Sequence, residues 1–558
     1  MSDSFASGAG EAFHGFGGRH LGVDQRGASF YGWIDEENQD ARPYKVPGAA
    51  SGTILYPNGP QAAYYEQPSF ISSRSYGFLL DRPELARFRL DSDRRDAWQA
   101  DVSGAALRYV IAPGSAARAI GALTAITGRQ RVPPAWALGP SLDRETALGE
   151  TPAKYEAKVR QDLRDIATYH LPLSYYRIEG WGILPPATVR ELIGEFHARG
   201  VRALVYFRAF VSADAAGTES PALFGFAIVH GLVAKTATGA PYIFGDGFGA
   251  KAAMIDFTNP AAVAWWSRRV RAALDLGADG FMQDFGEEVL PGMHFRNGQD
   301  GLQMHNAYPV YFHRVTRQVL DAYQHSHRGR TFFFFTRAGY SGRPGSAAYE
   351  NGNFPGDETT DWTRSSGIAS LIPDMLNRAI GGAFGYTTDI GGELDLQTPA
   401  TTKELLLRWA ELAVFTPFFR LHGSLINGMH TPWRYDTQTV RLYNALSLLH
   451  ERATPVILKL WKRAVRSGIP PDRPLWLAYP HDHRAAAQDQ EFQLGPDILV
   501  APVVVRGANS RVVYFPNGCW REPGARSAFR GGRYATIAAP LGHLPYFLRC
   551  ATNPFRTP

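Results

Sequence analysis

The sequence predicts an α/β fold: a (β/α)8 barrel flanked by β-sandwich sequence at both ends. Three observations carry the prediction. Residues 4–128 hold short runs of glycine, aromatic and β-branched residues, such as S-F-Y-G-W and L-R-Y-V-I, which read as antiparallel strands. From about residue 132 apolar runs alternate with amphipathic segments, the texture of β/α units around a parallel sheet. After about residue 449 a helical stretch leads to R-P-L-W-L-A-Y-P and to β-like runs with Gly and Pro turns, closing at P-Y-F-L-R-C. The chain therefore divides into an N-terminal β region at 1–128, a barrel at 129–448, and a linker helix with a C-terminal β-sandwich at 449–558.

Eight barrel strands are expected near 136–142, 173–178, 203–207, 280–283, 331–336, 352–355, 383–388 and 417–421. The fifth contains T-F-F-F-F-T, and an unbroken apolar run suits a strand covered on both faces. Segments 186–199 and 260–276 read as helices, the second because V-A-W-W-S-R-R-V-R-A-A-L-D-L spaces its apolar residues helically. Such a barrel carries its chemistry at the C-terminal ends of its strands. The placements put Glu179, Arg208, Asp284, Arg337, Asp357, Asp389 and the pair Arg420 and His422 at successive strand ends. Residues 212–251 or so form a Gly- and Ala-rich insertion after the third strand, expected to make a small lobe over the pocket mouth.

Composition narrows the function. With 558 residues, 45% hydrophobic and 20% charged, the chain is of ordinary globular make-up, and disordered or fibrous classes are excluded. Net charge is +6 with a pI near 9.1, but the basic residues are scattered and no recognition motif appears, so no nucleic-acid partner is expected. No apolar run reaches the roughly 18 residues of a membrane span, and M-S-D-S-F-A-S-G lacks a signal pattern; the expected location is the cytoplasm. Cys519 and Cys550 are too few for a zinc site or a disulfide framework, and reduced thiols are expected in preference to a bond between them.

The chemistry-bearing segments are G-F-M-Q-D-F-G-E-E-V from Gly280 and F-P-G-D-E-T-T-D-W from Phe354. Two acids at the ends of apolar strands suit glycosidic cleavage, in which one carboxylate attacks or stabilises the anomeric carbon and a second carboxyl group protonates the leaving oxygen. Asp284 and Asp357 are the candidates. Taken singly, each reads more readily as an ordinary loop acid than as a catalytic one.

The surroundings of these acids resemble glycoside hydrolase family 31, the α-glucosidase and α-xylosidase family, and in particular its sulfoquinovosidase-like branch. Seven motifs in family order carry the resemblance: Y-Y-E-Q-P-S-F from Tyr64, I-D-F-T-N-P from Ile255, D-F-G-E from Asp284, T-R-A-G from Thr336, T-D-I-G-G from Thr388, K-E-L-L-L-R-W from Lys403 and L-G-P-D-I-L-V-A-P-V from Leu494. It implies Asp284 as nucleophile and Asp357 as general acid/base, the latter with a pKa raised by the neighbouring charge and by desolvation. Glu358 and Asp361 are rival acids, and Glu287 and Glu288 stand behind the nucleophile. Arg337 is expected to hold Asp284 ionised. Glu179, Asp389, Arg420 and His422 match positions that bind sugar hydroxyls, although a histidine there reads equally as a satisfied core residue. The resemblance also implies that the N-terminal sandwich is incomplete, that no metal or organic cofactor is needed, and that the partner is an α-glycoside or oligosaccharide. A homo-oligomer is left open.

Sulfoquinovosidases bind a sulfonate through a Gln and an Asp-Trp pair after strand two, an Arg and a Trp in the next loop, and a Tyr after D-I-G-G. Here strand two ends in Y-R-I-E-G-W-G-I-L-P-P, the loop is missing, and Glu393 follows D-I-G-G. Arg177 and Arg208 are read as neutralising Glu179 and Glu393 rather than binding an anion, so a neutral hexose or pentose is expected. The leading reading is a retaining exo-acting α-glycosidase. The alternatives are an α-transglycosylase, a sulfoquinovosidase or a catalytically silent carbohydrate-binding protein.

Overall fold

Eight parallel strands form the centre of the molecule, which we describe from a computed structural model over residues 1–35, 63–147, 149–213, 220–246, 250–395, 398–424 and 427–555. In chain order barrel strands 1 to 8 are Ser141–Arg144, Tyr175–Ile178, Arg202–Arg208, Gly280–Asp284, Phe333–Thr336, Gly352–Asn353, Asp389–Ile390 and Arg420–Leu421. They lie in the order 6-5-4-3-2-1-8-7. A parallel bridge between Asn353 and Tyr386 joins strand 6 to the segment entering strand 7, and so closes the ring.

Two strands differ from expectation. At 136–142 a 3-10 turn, Ala135–Leu138, comes first, because prolines at 133, 134 and 140 withhold backbone donors; the strand begins only at Ser141. At 383–388 the chain is shared: Gly385 and Thr387 bond to Asn353 of strand 6, and regular pairing with strand 8 starts at Asp389. Neither shift followed from hydrophobicity, which does not tell an apolar turn from an apolar strand.

Strand 5 shows why both faces must be apolar. Phe333 and Phe335 pack inward on Phe418 and Phe354, while Phe334 faces outward beneath Arg317 of the helix Tyr308–Ser326. Helix Pro260–Asp275 starts from an Asn259 side chain that accepts the Ala261 N–H, with proline at its first position. It buries Trp266 against Phe207 and Phe257, and Trp266→Ala would cost about 3–5 kcal/mol.

The N-terminal region is two antiparallel sheets enclosing an aromatic core of Phe13, Phe16, Phe70, Phe78, Phe88 and Trp98. One of these sheets is continued by the barrel itself: Gly339–Tyr340, just past strand 5, pairs in parallel with Tyr65 and Glu66. The insertion after strand 3 opens as the antiparallel strands Phe210–Ser212 and Lys251–Met254, the latter also paired with Phe244–Gly245, and carries the helix Ala222–Val229. Residues 214–219 and 247–249 of it lie outside the described residues.

The boundary expected at 448/449 falls inside one helix, Thr437–Ser467, capped by Asp436. Its buried residues Tyr443, Leu446, His450, Ala453, Ile457, Leu460 and Ala464 recur every three or four positions across that point, so the apolar stripe is unbroken there. Beyond it a six-stranded and a two-stranded antiparallel sheet form the C-terminal domain. Cys519 and Cys550 are bonded in it, which corrects the expected thiols. Trp520 pairs with Arg549 in the ladder, and that register brings the two cysteine Cα atoms to 5.2 Å, within bonding range. Among the described residues no helix is long and apolar enough to cross a membrane.

Candidate active site

Asp284 ends strand 4, and the chain then turns sharply through Phe285 at φ +64° and Gly286 at φ +129°. A left-handed phenylalanine is strained by roughly 1–2 kcal/mol and persists because its surroundings fix it. The Phe285 ring is held between Phe210 and the Arg337 guanidinium, whose carbon stands 4.0 Å from the ring centre. The Tyr206 hydroxyl donates to Asp284 Oδ2 at 2.6 Å.

Arg337 follows strand 5 and is 1% exposed. Its Nε lies 3.1 Å from Asp284 Oδ1 and 2.8 Å from Glu287 Oε1, and its Nη1 donates to Asp357 Oδ2 at 3.2 Å. One guanidinium therefore touches both expected catalytic carboxyls and also Glu287. Glu288 stands 3.8 Å from Nη2 and accepts the Gly286 N–H. Burial raises the Asp357 pKa, Arg337 pulls it down, Asp284 pushes it up again, and the balance is about 6.

The rival acids sit differently. Glu358 is buried, takes a hydrogen bond from the Thr388 hydroxyl, and is pushed well up by burial and by Asp389. Asp361 accepts the backbone and hydroxyl donors of Thr363, as a turn residue does. The glycine before Asp357 is also explained. Gly356 has φ +98°, and a Cβ on it would lie 2.3 Å from the ring of Tyr64. A Cβ on Gly339, in T-R-A-G, would lie 2.1 Å from the ring of Tyr65. The Tyr64–Tyr65 pair of the N-terminal sheet thus wedges against both loops that carry Arg337 and Asp357.

Across the barrel lies a second network. Arg420 pairs with Asp389 and with Asp143, the latter at 2.8 Å. Burial pushes Asp143 up, but Arg177 and Arg420 overcome it and the pKa falls. Asp389 is raised to about 7 by burial, against the pull of Arg420. Arg177 reaches Asp143 Oδ2 at 2.8 Å and Glu179 Oε2 at 2.7 Å. The other Glu179 oxygen takes the Thr146 hydroxyl at 3.1 Å.

His422 turns both ring nitrogens toward protein. Nε2 meets Arg177 Nη2 at 2.9 Å and Nδ1 meets the Gly423 carbonyl at 2.8 Å. Arginine can only donate and a carbonyl only accept, so the proton sits on Nδ1. Burial, with Arg420 and Arg177 nearby, drives the His422 pKa well down, and the ring is neutral.

The expectation for the two strand-end cations divides. Arg177 neutralises Glu179, as read from the sequence, but Arg208 does not neutralise Glu393: among the described residues no ion pair reaches Arg208, which is 3% exposed and stacks on Phe210 at 4.9 Å. Glu393 is buried, its N–H bonded to the Glu358 carbonyl. Asp143, Glu145 and Tyr206 were missed by sequence reasoning. Placing strand 1 two to five residues early hid the first two, whereas Tyr206 was signalled by strand alternation, two positions before Arg208 on the same inward face.

Profiles of known families match in two places. The glycosyl hydrolases family 31 TIM-barrel domain matches residues 130–460, and the glycosyl hydrolase family 31 C-terminal domain matches residues 468–552. The chain is 29% identical over 500 residues to the sulfoquinovosidase of Escherichia coli (strain K12), covering 87% of this chain and 71% of that protein. It is 26% identical over 568 residues to alpha-glucosidase 2 of Bacillus thermoamyloliquefaciens, covering 96% of this chain and 66% of that one. A solved structure of a GH31 family sulfoquinovosidase from E. rectale with an aza-sugar inhibitor superposes with a TM-score of 0.85 at 24% identity, over 99% of this chain and 83% of that chain, which speaks for the fold.

Proposed function

The chain belongs to glycoside hydrolase family 31, and from that premise we propose that it is a retaining, exo-acting α-glycosidase with Asp284 as nucleophile and Asp357 as acid/base. The observation that carries this reading is Arg337, in contact with both carboxyls at once. Asp284, held by Tyr206 and Arg337, attacks the anomeric carbon, while Asp357, which carries its proton below about pH 6, delivers it to the departing oxygen. The product of this step is a β-linked glycosyl ester on Asp284. Asp357, now a base, takes a proton from water, whose oxygen displaces Asp284 and restores the α configuration.

The substrate read from the site is a neutral hexose or pentose in α linkage. Two observations support it: Arg177 is engaged by Asp143 and Glu179, and Glu393 adds a further buried acid; Arg208, without an ion pair among the described residues, is the feature that weighs against it. Transglycosylation uses the same intermediate with a sugar hydroxyl in place of water, and product analysis with and without acceptor sugar separates the two outcomes.

The test is a screen of 4-nitrophenyl α-glycosides followed by NMR of the first-formed sugar. Release of the α anomer, with turnover nearly abolished in Asp284→Asn, is expected. Initial release of the β anomer, or near-wild-type turnover in Asp284→Asn, overturns the assignment.

A further inference from the structure

The two carboxyl groups that face the catalytic pair from strands 1 and 2 are not equivalent. Both Glu179 oxygens already hold donors: Arg177 is on one, and the hydroxyl and N–H of Thr146, at 3.1 and 3.4 Å, are on the other. Glu145, one residue past strand 1, is the opposite case. Its side chain is 20% exposed, and its Oε1 stands 3.3 Å from His422 Nδ1. That contact is not an ion pair, because the His422 ring is neutral and its one proton is already given to the Gly423 carbonyl. Among the described residues no hydrogen bond reaches the Glu145 carboxyl.

The sheet order fixes where this carboxyl stands. Strand 1 is three strands from strand 4, which carries Asp284, and three from strand 6, which precedes Asp357, so it lies across the ring from the reacting carbon. We propose that Glu145 is a specificity-determining residue that hydrogen-bonds a hydroxyl on the edge of the terminal sugar away from Asp284 and Asp357, a part expected of Glu179 from the sequence. The inference rests on the glycosidase reading and deepens it by naming the group that reads the sugar. Burial raises the Glu145 pKa well above the ordinary value, and Glu179, Asp389 and Asp357 push it the same way, against Arg177. In either protonation state the carboxyl keeps oxygens that accept from a sugar hydroxyl.

A site that pairs a buried polar group with a substrate hydroxyl rejects the analogue lacking that hydroxyl, because its own group is left unpaired. The experiment compares wild type with Glu145→Ala, Glu145→Gln and Glu179→Gln in the full chain. Each is assayed for kcat/KM on the preferred 4-nitrophenyl α-glycoside and on its monodeoxy analogues. In Glu145→Ala, kcat/KM on the parent sugar should fall roughly tenfold, and discrimination against one deoxy position should disappear. Glu145→Gln keeps an acceptor oxygen at the same place and should restore both. Glu179→Gln should leave the discrimination pattern in place.

An Ala variant that still discriminates every deoxy sugar as wild type does overturns the proposal, as does a Gln variant that behaves like Ala. Calorimetric binding of the free monosaccharide and its deoxy analogues is run in parallel. If no α-glycoside is turned over, the catalytic reading fails while binding still decides Glu145: equal affinity of wild type and Glu145→Ala for all sugars, or no binding by either, sinks it.

Discussion

Replacing Arg337 by Gln removes a cation in contact with Asp284, Glu287 and Asp357 while keeping most of its volume. The consequence for Asp357 has a definite sign. Arg337 is the largest influence lowering a pKa that burial and Asp284 raise, so its loss moves that pKa up from about 6. At the 3.2 Å contact, two unit charges interact by about 5 kcal/mol at an effective dielectric near 20, an upper bound. Water entering the vacated space screens most of it, leaving a shift of roughly 1–2 pH units. The acid/base must be protonated in the free enzyme, so the alkaline limb of kcat/KM should fall near pH 6 in wild type and 1–2 units higher in Arg337→Gln. The rate itself should drop by roughly 10²–10³, since three carboxyls are left crowded without their counter-charge. The assay is a pH–rate profile on an aryl α-glycoside with thermal denaturation alongside. An alkaline limb that stays in place or moves to lower pH would refute the electrostatic reasoning.

Three further outcomes are expected. Asp357→Ala should lose roughly 10²–10⁴ in kcat/KM on alkyl glycosides or disaccharides and far less on 4-nitrophenyl glycosides, with azide accelerating turnover and giving an α-glycosyl azide; equal losses on both substrate types, or the selective pattern in Glu358→Ala instead, would move the acid role away from Asp357. A sulfoquinovoside should be hydrolysed more slowly than the matching α-glucoside, and Glu393→Gln should narrow the gap, because a desolvated like-charge contact costs several kcal/mol; a faster sulfoquinovoside in wild type contradicts this. Gly356→Ala should lower kcat roughly tenfold to a hundredfold by pushing the Asp357 loop off Tyr64, and an unchanged kcat would show that the wedge does not position the acid.

The barrel and its strand ends were legible because an apolar strand covered on both faces leaves a contiguous signature, as in T-F-F-F-F-T. Arg337 between the two acids was foreseen in part: the sequence pointed to its hold on Asp284 but not to the same guanidinium reaching Asp357 and Glu287. What could not be read was pairing. That both Glu179 oxygens hold donors from Arg177 and Thr146, that His422 spends both nitrogens on protein, and that Arg208 has no ion-pair partner among the described residues all depend on side-chain distances that the sequence does not carry. The disulfide was missed for the same reason, since its feasibility follows from the register of Trp520 with Arg549.

The parallel pairing of Gly339–Tyr340 with Tyr65 and Glu66 also bears on how the protein is made. The N-terminal sandwich has its own aromatic core and is synthesised ahead of the barrel, so it can assemble before the barrel exists. Until strand 5 arrives, the backbone at Tyr65 and Glu66 is an unfinished sheet edge, open to pairing with another nascent chain. Closing it spans most of the barrel sequence, a long loop whose entropy must be lost before the contact forms. The loops bearing Arg337 and Asp357 are then among the last parts of the enzyme to reach their final place, and a chain arrested before that step would hold a folded sandwich, a sticky edge and no activity.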